Sequence, residues 1–192
     1  MAAPTDLELA IAVGTVFESL GLRYLIGGSL ASSLHGVPRS SNDADLLAEL
    51  PWAHVDEFVR RLEADFYIDG DMIRDSIRRG ISFNLIHYGS SFKVDVFVLT
   101  DDAFGQAEMQ RRQLHDTGRG AAHFATAEDM VLQKLRWYRA GGESSERQWL
   151  DVLGILKVKA SRLDLDYARP WADRIGVRDL LDRALAEALG PL

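Results

Sequence analysis

The stretch that decides the fold runs from Ile26 to Leu47 and reads IGGSLASSLHGVPRSSNDADLL. Leu22 to Ile26 leads into it as a short β-prone run. Gly27-Gly28-Ser29 breaks that strand, Leu30 to His35 reads as a short helix, and Gly36-Val37-Pro38 stops the helix before a second strand at Asp43 to Ala48. Glycines at a strand end let the backbone come close to a bulky anion. The helix start behind them offers unpaired N–H groups and a positive dipole end, and Ser29 adds a hydroxyl donor. This is a phosphate cradle in outline, although Gly-Gly-Ser also makes ordinary turns and the motif alone leaves both readings open.

Asp43-Ala44-Asp45 adds chemistry to the second strand. Residues i and i+2 of a strand share a face, so both carboxylates project together while Ala44 and Leu46 face the core. Two neighbouring anions repel unless something positive lies between them. Magnesium, a hard cation that prefers oxygen ligands, fits that need; a solvated strand end or pairing with Arg39 is the plain alternative. A third acid, Asp95, interrupts the otherwise apolar strand Phe92 to Leu99. Val94, Val96 and Val98 form one face of this strand, and Lys93, Asp95 and Phe97 the other. A carboxylate in such a strand needs a partner. Either Lys93 or an arginine pairs with it, or it completes a two-metal site with the other acids.

The rest of the chain organises around this stretch. Thr5-Asp6-Leu7-Glu8 reads as a capping box, opening a helix whose face carries Leu9, Val13, Val16, Phe17 and Leu20 and which Gly21 ends. Trp52 to Ala64 and Met72 to Arg79 read as helices. Ile81 to His87 and Phe92 to Leu99 read as a hairpin closed by Gly89-Ser90-Ser91. Ala103 to Gln110 is predicted helical, with short strands at Gln113 to His115 and Ala121 to Phe124. After Phe124 only helices are expected: one capped at Thr126 and running to Ala140, one capped at Ser145, one over Leu163 to Ile175 interrupted at Pro170, and one over Val177 to Leu189. The order predicts an α/β (mixed α+β) fold. A small mixed sheet flanked by helices forms a core over residues 1–125, and a C-terminal helical region over 126–192 packs on it.

Composition narrows the function classes. The chain has 192 residues, enough for one domain with a helical extension. It has no cysteine, which excludes disulfides and thiolate metal sites and suits a cytoplasmic setting. No apolar run approaches the ~20 residues of a membrane span, and Met1 to Asp6 lacks the features of a signal peptide. Net charge is −7, the wrong sign for wrapping long nucleic acid, although Arg74, Arg78 and Arg79, or Arg111 and Arg112, leave room for a local basic patch. The five histidines show no ligand spacing and read as structural. Trp52, Trp137, Trp149 and Trp171 fit amphipathic stripes and are expected in the core.

Gly27-Gly28-Ser29, then Arg39-x-Ser41-x-Asp43-x-Asp45, then Asp95 in an apolar strand, resembles the pattern of nucleotidyltransferases of the DNA polymerase beta superfamily. Within it, the chain looks most similar to small bacterial AbiEii-like and related uncharacterised nucleotidyltransferase proteins. Glu128, Asp129 and Lys134, followed by Glu146-Arg147-Gln148-x-x-Asp151, resemble the helical motifs of those families. Ser41 stands where threonine is commoner. The resemblance covers roughly residues 22 to 157.

The resemblance implies a nucleotidyltransferase that moves NMP from an NTP to an acceptor hydroxyl and releases pyrophosphate. It implies two Mg²⁺ ions held by Asp43, Asp45 and Asp95, with Asp95 also helping to deprotonate the acceptor. Gly27, Gly28 and Ser29 would hold the β- and γ-phosphates, Lys134 would contact the triphosphate, and Arg39 would orient Asp43 or touch phosphate. Arg147 and Asp151, four apart, also fit a simple surface ion pair. The acceptor stays open among tRNA, a protein side chain and a small molecule. A toxin–antitoxin or abortive-infection role with an antitoxin partner is within the resemblance. The competing reading is a non-catalytic nucleotide-binding or toxin–antitoxin partner module with the same fold.

Overall fold

Local signals place the first elements. In the computed structural model, which describes residues 4–159 and 162–190, α1 (Asp6–Ser19) begins at the expected capping box, with Thr5 accepting from the Glu8 N–H and the Glu8 side chain accepting from the Thr5 N–H. The buried face of α1 turns towards Ala10, Ile11 and Gly14 as well as Leu9, Val13 and Phe17. Part of the signal-peptide reading rests on Met1–Ala3, which lie outside the described residues, as do 160–161 and 191–192 of the expected helical region.

The chain continues through β1 (Tyr24–Ile26), α2 (Gly28–His35) and β2 (Asp43–Ala48). A 3-10 turn at Trp52–His54 leads into α3 (Val55–Leu62), and β3 (Phe66–Tyr67), α4 (Gly70–Arg79), β4 (Ser82–His87) and β5 (Lys93–Val98) follow. Then come α5 (Ala103–Arg111), β6 (Gln113–Asp116) and β7 (Ala121–Phe124), and after them the helices α6 (Ala127–Ala140), α7 (Glu146–Lys159), α8 (Leu165–Arg174) and α9 (Arg178–Leu189). The fold is mixed α/β. Its seven-stranded sheet has the order β3-β4-β5-β2-β1-β7-β6. The expected hairpin is β4 and β5, paired antiparallel; β2 lies antiparallel to β1 but parallel to β5. The short β3, pairing with the end of β4, has no counterpart in the sequence reading: two residues are too few for a periodic signal.

The chain divides into two compact units, with the boundary inside α2. The first comprises the chain up to Leu30 and Ser40–Phe124, and holds the whole sheet. Its core forms where alternate residues of the central strands point inward: Ala44, Leu46, Ala48, Val94 and Val96 are fully buried. Phe17 of α1 packs on Phe58 of α3 with ring centroids 4.6 Å apart, and Tyr24 lies beside it at 6.1 Å.

The second unit comprises Ala31–Arg39 and the chain from Ala125. Within it, Gly36 is more than a helix stop, because a Cβ there would lie 2.8 Å from the Ile155 backbone nitrogen of α7. His35 Nε2 donates to the Ala125 carbonyl at 2.7 Å, a structural role as expected. Pro170 does not interrupt its helix: α8 runs from Leu165 through Arg174. Trp149 is buried against Tyr138, under the Arg183 guanidinium, with its indole N–H donated to Glu187. Trp52 and Trp137, expected in the core, are instead half exposed, and Arg74 and Arg78 lie over the Trp52 ring. Among the described residues no helix is long and apolar enough to cross a membrane.

Gly14 tests the packing of α1 on the sheet. Replacing an interior helix glycine with alanine normally gains about 1 kcal/mol. A Cβ at Gly14 would fall 2.4 Å from the Tyr24 ring, however, and Tyr24 is 1% exposed. Overpacking of this kind costs about 1–3 kcal/mol, so Gly14→Ala is expected to lower the urea midpoint; a raised midpoint would show that the ring can move aside.

Candidate functional site

Backbone pairing draws three acids onto one face of the sheet. In the parallel ladder Asp43 pairs with Lys93 and Asp45 with Asp95. Registered residues of neighbouring strands lie about 4.8 Å apart and point the same way. Asp43, Asp45, Lys93 and Asp95 are all partly exposed, while Ala44 and Val94 between them are buried, as strand parity predicts.

The glycine turn stands beside this face. The Gly27 N–H donates to the Asp45 carbonyl at 2.8 Å. Gly28 opens α2 at φ 53°, in the left-handed region that favours glycine. A Cβ at Gly28 would lie 1.8 Å from Asp45 Oδ2, so only glycine leaves room for that carboxylate. The Ser29 hydroxyl, 5% exposed, donates to Ser41 Oγ at 2.5 Å, and Ser41 Oγ donates to Asp43 Oδ1 at 2.9 Å. Ser41, read from sequence as a small departure in a motif, is therefore the link between the glycine-serine turn and the first acid.

Lys93 completes the face. Its Nζ lies 2.6 Å from Asp95 Oδ2, which is the lysine pairing that the sequence left open. The hydrogen bond to Asp95 raises the Lys93 pKa above its ordinary value; burial opposes it, and the charges of Asp95, Asp43 and Asp45 add to the rise. Among the described residues no group of three His, Asp or Glu side chains is gathered as a ready ligand set for a metal. A cation does sit among the acids, but it is an ammonium.

Arg39 and Lys134 belong to the second unit, where both meet Asp151. Arg39 donates from Nε and Nη2 to the two Asp151 oxygens at 2.8 and 2.9 Å, and Lys134 Nζ lies 2.7 Å from Oδ2. The Lys134 and Asp151 side chains are 6% and 7% exposed. Burial pushes the Asp151 carboxyl up, but the hydrogen bonds and charges of Arg39 and Lys134 outweigh it and hold the group below its ordinary value. Asp151 thus serves a largely buried cluster with Lys134 and the part-exposed Arg39, rather than the surface pair with Arg147 that helical spacing allowed. Asp129, also in this unit, is fully buried and accepts from the Thr126 and Tyr167 hydroxyls at 2.7 and 2.6 Å.

No protein-family model and no curated protein matches this chain. Solved structures do match its fold. ANT(2")-Ia, seen in complex with adenylyl-2"-tobramycin, aligns at TM-score 0.56 and 14% identity over 91% of this chain and 99% of its own. The lincosamide antibiotic adenylyltransferase LnuA, lincomycin-bound, aligns at 0.53 and 12% over 82% and 99%. A putative nucleotidyltransferase from Thermotoga maritima aligns at 0.51 and 16% over 79% and 96%. The chain has the fold shared by these nucleotidyltransferases.

The Asp151 cluster gives a pH-dependent prediction. Because the folded carboxyl titrates below its unfolded value, its contribution is complete above the unfolded pKa of about 3.9 and is lost as pH falls through the lowered folded value. Asp151→Asn removes the carboxylate shared by the buried Lys134 and the part-buried Arg39 and is expected to cost about 3–5 kcal/mol at pH 7. Urea titrations should show that deficit constant from pH 7 to 5 and shrinking below about pH 4. A deficit unchanged in acid would place the stabilisation outside this carboxylate.

Proposed function

We propose that the chain is a magnesium-dependent nucleotidyltransferase. The observation that carries this reading is the in-register pair Asp45 and Asp95, with Asp43 on the same face and the Gly27-Gly28-Ser29 turn beside it. The acids fit a hard divalent cation: all offer oxygen, they converge on one face, and Gly28 leaves space at the Asp45 carboxylate that any side chain would fill. Lys93 on Asp95 is a stand-in for positive charge at that point.

In this reading Asp43, Asp45 and Asp95 are the residues that would hold the two magnesium ions. Bound magnesium supplies charge neutralisation at the reacting phosphate and at the leaving pyrophosphate. Asp95 takes the proton of the acceptor hydroxyl as its oxygen bonds to the α-phosphorus and the bond to the β-phosphate oxygen breaks. The backbone at Gly27 and Gly28, the start of α2 and the Ser29 hydroxyl receive the β- and γ-phosphates. The motif resemblance alone suggests Arg39 and Lys134 as further phosphate contacts. Similarity to antibiotic adenylyltransferases favours a small-molecule acceptor within the wider set of tRNA, protein and small molecules. A toxin–antitoxin or abortive-infection role, an AbiEii-like affiliation and a cytoplasmic setting belong to the same proposal and rest on the motif resemblance.

Incubation with each α-labelled NTP, Mg²⁺ and cell lysate tests the proposal. Label should pass to an acceptor, and Asp45→Asn should reduce transfer by about a thousandfold or more, since a lost metal ligand removes charge stabilisation at the reacting phosphate. Saturable NTP binding without transfer would instead identify a non-catalytic nucleotide-binding module.

A further inference from the structure

We infer that Lys93 is a resident counter-cation of the acidic face, one that a divalent ion must displace from Asp95 in order to bind. The inference rests on the proposed metal role of Asp43, Asp45 and Asp95. Geometry supports it in three ways. Lys93 is two residues from Asp95 on the same strand face, and its Nζ contacts Asp95 Oδ2 at 2.6 Å. It is the register partner of Asp43, so it projects into the same patch as all three acids. Its side chain is 41% exposed whereas that of Asp95 is 17% exposed, so the ammonium has solvent to withdraw into and the carboxylate does not.

Charge explains what such a residue does. Three carboxylates on one face carry −3, and the lysine brings the patch to −2. A partly exposed ion pair is weak, so Lys93 steadies the metal-free patch without locking it. Free metal must then compete with a cation already in place. A metal–triphosphate complex brings its own negative charge, and the displaced ammonium stays beside a phosphate polyanion rather than going unpaired. Lys93 therefore discriminates against free metal in favour of metal carried by nucleotide. It is a positioning residue for the ion and need not touch the reacting atoms.

Mn²⁺ binding followed by electron paramagnetic resonance tests this without any turnover, using the parent, Lys93→Met, Lys93→Gln and Asp95→Asn proteins. Without nucleotide, both lysine variants should bind Mn²⁺ about tenfold or more tightly than the parent, since a like charge has left the site. They should also melt earlier than the parent in EDTA, and a non-hydrolysable NTP should increase their Mn²⁺ affinity less than it increases that of the parent. Two variants are used so that poor folding of one does not decide the matter. If the parent binds Mn²⁺ through Asp95 while both lysine variants bind it equally or more weakly, the counter-cation role is overturned and the metal site stands. If none of the proteins binds Mn²⁺ with or without nucleotide, both the inference and the metal site fall.

Discussion

The parallel ladder between β2 and β5 is the constraint on which the rest depends. Its register sets Asp45 beside Asp95 and Asp43 beside Lys93, and strand parity sends all four side chains to one face. A shift of one residue in either strand would send that strand's charged side chains into the core and its valines or alanines out to solvent. Burial of Ala44, Leu46, Val94 and Val96 thus fixes the acidic face. The same apolar contacts that stabilise the sheet bring like charges together, and an incoming or resident cation has to offset the repulsion.

Neighbouring elements serve that face. Gly27 ties the turn after β1 to the Asp45 backbone, and Gly28 has no side chain to crowd the carboxylate. The chain from Ser29 through Ser41 to Asp43 orients the first acid by hydroxyl donors. In the helical unit the same logic recurs with signs reversed: the cations Arg39 and Lys134 converge, and the carboxylate of Asp151 holds them. Each unit therefore holds one cluster in which like charges gather around a single countercharge.

What the sequence made legible was local. Capping at Thr5 and Thr126, the alternation of Phe92 to Leu99, and the parity of Asp43 and Asp45 all follow from spacing of a few residues. The mixed sheet and the helical C-terminal part followed from the order of those signals. Long-range partners were not legible. Arg39 and Asp151 are 112 residues apart, and helical spacing offered only Arg147 as a partner within reach. The grouping of residues 31–39 with the C-terminal helices depends on contacts such as Gly36 against Ile155, which no periodicity reveals. Lys93 was visible as one candidate partner of Asp95, but its place opposite Asp43 required the register. Trp52 and Trp137 failed as core residues: Trp52 falls in the 3-10 turn ahead of α3 rather than on a helix face, and both rings are half exposed.

The most direct test of the account is a crystal structure of the protein grown with Mn²⁺ and a non-hydrolysable NTP, with the metal located by its anomalous scattering. The account predicts a Mn²⁺ peak bound by Asp45 and Asp95, the triphosphate against Gly27, Gly28 and Ser29, and the Lys93 ammonium withdrawn from Asp95 Oδ2. Nucleotide bound elsewhere, or the Lys93–Asp95 pair intact with no metal on the acidic face, would contradict it.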